Sequence, residues 1–206
     1  MAATTPVSYP LTFDVDYPDR DLNRLTSAFR LIWAIPILLI LAIGFGRLGP
    51  DNVLFAGFTV LFLPVVLVLL FRHKYPRWWF DFNLEVLRFH ARVMSYLNLL
   101  RDEYPSTDDH QSVHLDVPYP NAPAELNRWL PLVKWLLAIP HFIILVFLNI
   151  AAIVVVLIAW FAILFTGRYP QGMFNFVVGV MRWNFRVSAY AFLLATDQYP
   201  PFSLAP

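Results

Sequence analysis

The sequence predicts an all-α integral membrane protein of two tandem repeats. Each repeat reads as a short cytoplasmic strand, a transmembrane helical hairpin and an amphipathic interfacial helix, which makes about four transmembrane helices. Three observations predict it: long stretches without charge, a series of short motifs that recurs in the same order, and a narrow polar stripe on the helix after the first hairpin.

Residues 31–46 and 52–71 carry no charge, and Arg47, Gly49, Pro50 and Asp51 form a polar break between them. That pattern predicts a hairpin of two membrane helices. Residues 135–167 are again uncharged. One straight helix of that length would measure about 50 Å against a hydrocarbon core of about 30 Å. A second hairpin turning near Asn149 is the first reading; a single tilted span over 140–166, preceded by an interfacial helix, is the other.

Composition agrees. Of 206 residues 59% are hydrophobic and 14% charged, where soluble domains average roughly 45–50% and about 25%. A net charge of +1 provides no basic field for a phosphate backbone, so nucleic acid is excluded as a partner. The absence of cysteine removes disulfides, thiolate metal sites and cysteine nucleophiles. The polar, acidic start of the chain places no basic group ahead of an apolar run, so no cleaved signal peptide is expected there.

The recurrence is extensive. Leu11-Thr-Phe-Asp-Val-Asp-Tyr-Pro18 matches Val113-His-Leu-Asp-Val-Pro-Tyr-Pro120, and Leu22-Asn-Arg24 matches Leu126-Asn-Arg128. Ala34-Ile-Pro36 matches Ala138-Ile-Pro140, with Arg30 over Lys134. Tyr75-Pro76 matches Tyr169-Pro170, and Arg88, Arg92 and Tyr96 fall on Arg182, Arg186 and Tyr190. These matches divide the chain into a tail (1–8), repeat 1 (9–104), a linker (105–111) and repeat 2 (112–206).

Within each repeat the opening segment alternates. Leu11, Phe13, Val15 and Tyr17 interleave with Thr12, Asp14 and Asp16, the period of a half-buried strand. Two such strands are expected to pair with each other or to add to a partner's sheet. Seven of nine tyrosines precede proline, which suits segment boundaries at the membrane interface. Over 77–100, Asp81, Glu85, Arg88, Arg92 and Ser95 follow helical steps of three and four, one polar stripe on an apolar helix. An interfacial position is expected, because a third crossing would invert repeat 2. Basic residues flanking the first hairpin place both termini and the linker in the cytoplasm by the positive-inside tendency.

The motifs Trp135-Leu-Leu-Ala-Ile-Pro-His141, Leu164-Phe-Thr-Gly-Arg-Tyr-Pro170, Phe176-Val-Val-Gly-Val180 and Tyr199-Pro-Pro-Phe202 resemble a family of bacterial membrane proteins, domain of unknown function 4389. The resemblance extends weakly over the first copy, where Arg72-His-Lys-Tyr-Pro-Arg77 replaces the glycine-bearing form. It implies the architecture and residence in the bacterial inner membrane, and brings no activity or catalytic residue.

None of the fourteen acidic residues falls within an expected span, where ionisable groups mark function. Arg30 and Lys134 lie at span entrances and are expected to snorkel. His141 is read as a neutral packing histidine rather than a proton relay. Asp14 with Asp16, Asp19 with Asp21, and His110 with His114 near Asp108 and Asp109 have metal-like spacing, but strand alternation and a solvated linker account for them. No catalytic grouping or phosphate loop is present, and no cofactor is expected. The repeated pairs Arg88/Arg92 and Arg182/Arg186, with Tyr96 and Tyr190, are the candidate contacts for lipid phosphates or a partner's carboxylates, against plain interfacial anchoring. The resulting expectation is a non-enzymatic scaffold or accessory subunit of a membrane complex or homo-oligomer, in contact with the lipid bilayer; the alternative is a lipid-binding or permeation protein that uses the arginine pairs.

Overall fold

The computed structural model describes residues 9–44, 56–107, 109 and 111–206, with side chains from 9–39 and from 62 onward. The expected polar break at 47–51, the tail 1–8, Asp108 and His110 lie outside the described residues.

Alternation makes the strands, and they find each other. β1 (Thr12–Val15) and β2 (Val113–Asp116) pair antiparallel with Phe13 opposite Leu115 and Asp14 opposite His114. Phe13, Val15 and Leu115 point into the core, while Thr12, Asp14, His114 and Asp116 face solvent.

After β1 comes α1 (Arg24–Ala28), capped by Asn23, whose Oδ1 accepts from the Leu25 and Thr26 amides and so satisfies two of the helix's free donors. Two apolar helices follow, α2 (Arg30–Gly44) and α3 (Ala56–Arg72). The long helices α4 (Arg77–Leu97) and α8 (Gln171–Ser188) each begin directly after a Tyr-Pro pair. Pro76 and Pro170 sit extended at the caps, where a missing N–H leaves no hydrogen bond unmade. Tyr75 and Tyr169 are themselves buried, not held wet at an interface: the Tyr75 hydroxyl donates to the Leu193 carbonyl.

The stretch expected to turn near Asn149 does not turn. After the short α5 (Ala122–Glu125), a 3-10 turn (Leu130–Leu132) and α6 (Lys134–Leu137), α7 runs unbroken over Ile139–Thr166. The second hairpin, and with it the expectation of about four transmembrane helices, is thereby corrected. The reason is local: no glycine or proline lies between Pro140 and Gly167, and Asn149 exchanges amide hydrogen bonds with Asn184 instead of breaking the helix. Twenty-eight residues extend about 42 Å. Among the described residues α7 is the helix long and apolar enough to cross a membrane.

α7 ends at Gly167, whose φ of +79° places it in the left-handed region while its N–H reaches the Ile163 carbonyl. A Cβ there would lie 3.3 Å from Asp21 Cβ. Gly167→Ala is therefore expected to destabilise the fold by about 1–2 kcal/mol, read as a lowered thermal midpoint in detergent, whereas Gly172→Ala, where a Cβ meets nothing within 4 Å, leaves it unchanged or raised.

The main core lies between the sheet and the two long helices: Phe13, Val15, Leu115 and Val117 pack with Leu84, Ala91, Val178 and Phe185. α8 and the turn that follows it show a different face, through Trp183, Val187 and Tyr190, to Ala138 and Leu145. α7 thus lies on α8, and only a stripe of it is buried, at His141, Leu145, Ala152, Ala159 and Ile163.

Candidate functional site

The repeated arginines hold the strands. Arg182 on α8 donates from Nε to the Phe13 carbonyl (2.8 Å) and from Nη2 to Asp14 Oδ1 (3.2 Å). Arg88 on α4 does the same to β2, with Nε on the Leu115 carbonyl (2.9 Å) and Nη2 on Asp116 Oδ1 (2.8 Å). The grip crosses over: the helix of each half holds the strand of the other. The tyrosines before the prolines cross in the same way, since the Tyr17 hydroxyl donates to the Tyr169 carbonyl and that of Tyr119 to the Tyr75 carbonyl.

One turn on, Arg92 Nη1 donates to the Ser106 carbonyl (2.7 Å) and Arg186 Nη1 to the Ser203 carbonyl (3.4 Å). Arg186 is buried under Tyr9, whose hydroxyl donates to its carbonyl. Burial, and then the neighbouring Arg182, push the Arg186 guanidinium below its ordinary pKa. The Arg88 and Arg182 forks are each spent on a backbone carbonyl and a carboxylate, whereas Arg92 and Arg186 reach a carbonyl through Nη1 and keep a buried Nε without a hydrogen-bond partner. Arg88 keeps a more open side chain than its counterpart, 31% exposed against 8% for Arg182.

Tyr96 and Tyr190 serve a pair of cation cages that sequence reasoning missed. Arg30, 3% exposed, meets Asp102 at 2.5 Å and the Arg101 carbonyl at 2.7 Å, with its guanidinium over the Tyr96 ring. Lys134, fully buried, meets Asp197 at 2.7 Å and the Thr196 carbonyl at 2.7 Å, with its ammonium over the Tyr190 ring. Neither cation snorkels to water. A desolvated cation is held by a counter-charge, a carbonyl and a ring face together. Burial pushes the Lys134 ammonium down from its ordinary pKa, and Asp197 pulls it back up.

Sequence matching passed over the acids for a definite reason. Tyr96 and Tyr190 are 94 positions apart, but Asp102 and Asp197 are 95 apart. The extra residue is taken up by one π-helical turn, Ala189–Leu193, at the end of α8, the usual form of a one-residue insertion in a helix. Beyond it the backbones come back into step, with Leu99 and Leu194 both left-handed at φ 62° and 56°.

His141 is a packing residue. It is buried, its Nδ1 accepts from Trp183 Nε1 at 3.0 Å, and its ring stacks on Phe202 at 4.0 Å. The acidic pairs are likewise in use: Asp14 on Arg182, Asp16 on His114 and Asp21 on Arg168. Among the described residues no group of His, Asp and Glu gathers as a metal site.

The other prominent surface is apolar. Ile143, Phe147, Ile150, Ile153, Leu157 and Phe161 are exposed along α7, and Leu31, Ile32, Trp33, Leu63, Leu67 and Phe71 on α2 and α3. On the opposite side, Asp14, Asp16 and Asp116 stand open to solvent. An ionised side chain at the centre of a bilayer costs about 2.5–3.5 kcal/mol on insertion scales, so that face belongs in water.

A family model described as Domain of unknown function (DUF4389) matches residues 129–203. Over this segment the chain is similar to that family. The DUF4389 segment comprises Lys134, α7, α8 and Asp197, so it contains one complete cage and the arginine that grips β1. No curated protein and no solved structure matches the chain.

Proposed function

We propose that the chain is a membrane-resident, non-enzymatic scaffold or accessory subunit, working within a homo-oligomer or a larger membrane complex. The observation that carries this reading is the series of large exposed apolar side chains along α7, with further ones on α2 and α3. Soluble monomers rarely expose apolar patches beyond a few hundred Å², so lipid and other apolar helices are the natural cover. Arg30, Lys134 and Arg182 each meet a carboxylate within the chain, which favours apolar contact as the means of association.

The reading includes duplication: two copies of one unit, each clasping the strand of the other. The crossed Arg88 and Arg182 contacts, the crossed tyrosines and the two cages support it. It also places the sheet, the linker and both termini on the cytoplasmic side of a bacterial inner membrane, following the basic residues around α2 and α3. The alternative of lipid-headgroup binding or permeation draws on Arg88 and Arg182, which already hold strands, and on Arg92 and Arg186, which reach the Ser106 and Ser203 carbonyls.

Purification from native membranes in a mild detergent tests the proposal. The expected result is a particle whose protein mass exceeds the 23.9 kDa of one chain, with a fixed stoichiometry of copies or partners. A stable single chain with nothing bound to it would refute the scaffold reading.

A further inference from the structure

We propose that α7 lies along the membrane plane, seated in the acyl layer of one leaflet, and does not cross the bilayer. The inference rests on the membrane residence proposed above and concerns how the chain meets the lipid.

Charged groups cap both ends of α7. Lys134 and Asp197 stand at its start, and Arg168 with Asp21 at its end, but a crossing helix would show the same. The deciding feature is the segment that runs beside it. The Tyr9 hydroxyl reaches the Arg186 carbonyl, in the part of α8 that packs on Ala138 and Leu145 near the start of α7. The Tyr17 hydroxyl reaches the Tyr169 carbonyl, three residues past the end of α7 at Thr166. β1 and its flanks therefore accompany α7 from one end towards the other, with α8 between them.

Between those two tyrosines lie Asp14, Asp16 and, across the ladder, His114 and Asp116, with side chains 61–72% exposed. A bilayer drawn perpendicular to α7 and centred on it would enclose this row of three carboxylates and an imidazole at hydrocarbon depth, open to lipid. A bilayer parallel to α7 leaves the row on the water side, two layers away. It also meets the helix with uncharged side chains alone, from Ile143 to Phe165. In that orientation the helix's polar face is replaced by the protein body, and its apolar face enters the headgroup and acyl boundary as interfacial helices do.

The second copy supplies the length for this. From the Lys134 cage the chain passes through α6 and α7 to Gly167, whose carbonyl accepts from Leu22 N–H. Next to Leu22, Asn23 N–H donates to Asp102, the acid of the Arg30 cage. α7 thus joins the neighbourhoods of two cages of the same construction, which sit at equal depth if one face of the molecule meets the membrane.

The chain has no cysteine, so single thiols report the side on which each end lies. Ala124→Cys marks the start: it is exposed and three residues before Asn127, whose N–H binds Asp197. Gly172→Cys marks the end, where a Cβ meets nothing within 4 Å. The full chain is placed in bacterial membranes, and right-side-out and inverted vesicles are treated with a membrane-impermeant maleimide. Both thiols are expected to react from the same face to within about twofold, and neither from the other face. Reaction from opposite faces would establish a crossing and overturn the proposal. Recovery of the chain in the supernatant after an alkaline wash would instead overturn membrane residence itself, a separate failure that does not depend on the labelling.

Discussion

Asp197→Ala is expected to destabilise the protein by about 3–5 kcal/mol, and Lys134→Met by much less, although both remove the same ion pair. The difference follows from who is buried. Lys134 has no exposed side-chain surface, while Asp197 keeps 21%. Without the carboxylate, the ammonium retains the Thr196 carbonyl and the Tyr190 ring face, and nothing among these neutralises a full charge in a dry site. Without the lysine, the carboxylate still accepts from the Asn127 amide and reaches water, and the methionine fills most of the vacated volume. The Arg30 cage is built alike, with 3% exposure for the arginine and 16% for Asp102, so Asp102→Ala should again exceed Arg30→Met. Thermal unfolding in detergent, followed by tryptophan fluorescence, measures this. For a chain of this size the acid variants should fall by roughly 6–20 °C. Equal losses for acid and cation variants would show that the cages are open to water and that burial has no part in their energetics.

Several features of the fold were legible in the residues. Alternation at Thr12 to Val15 predicts a strand because period two has no helical counterpart, and pairing with the matching segment leaves the fewest open edges. Tyr75-Pro76 and Tyr169-Pro170 announce helix starts because proline needs no N–H donor there and disfavours helix at the residue before it. The arginine pairs were legible as a repeated feature but not in their role. Whether Arg182 meets lipid or the Phe13 carbonyl depends on contacts 169 positions apart, and matching one half to the other gives no sign that the halves exchange strands. Arg30 and Lys134 were read as snorkelling for the same reason, since their counter-ions lie 72 and 63 positions away across chain that pattern alone does not fold back. The turn expected at Asn149 came from comparing helix length with bilayer thickness. That comparison assumes a crossing, and the helix, free of glycine and proline beyond Pro140 in its first turn, has no internal reason to break.

Arg182→Met is expected to destabilise the protein by about 3 kcal/mol, on hydrogen bonds to a charged donor worth about 1.5–3 kcal/mol each but not additive. One side chain holds three acceptors: the Phe13 carbonyl, Asp14 Oδ1 and the Leu204 carbonyl at 2.9 Å. Asp14 is solvated and loses little. The Phe13 carbonyl belongs to a residue whose buried ring packs tilted against Phe185, centroids 4.8 Å apart, where water replaces the lost donor poorly. Arg182→Lys should recover only a small part, because a single ammonium cannot reproduce the planar fork that spans Nε and Nη2. The matched change Arg88→Met provides the control. Its contacts with Leu115 and Asp116 have the same form, but with 31% of the side chain exposed water can substitute, and a loss of about 1 kcal/mol is expected. Hydrogen exchange should localise the effect, with the amides around Phe13 losing protection in Arg182→Met before those of α8. Uniform loss across α7 and α8, or equal cost at Arg88 and Arg182, would mean that the strand is held by the apolar core alone and that the guanidinium forks contribute nothing specific.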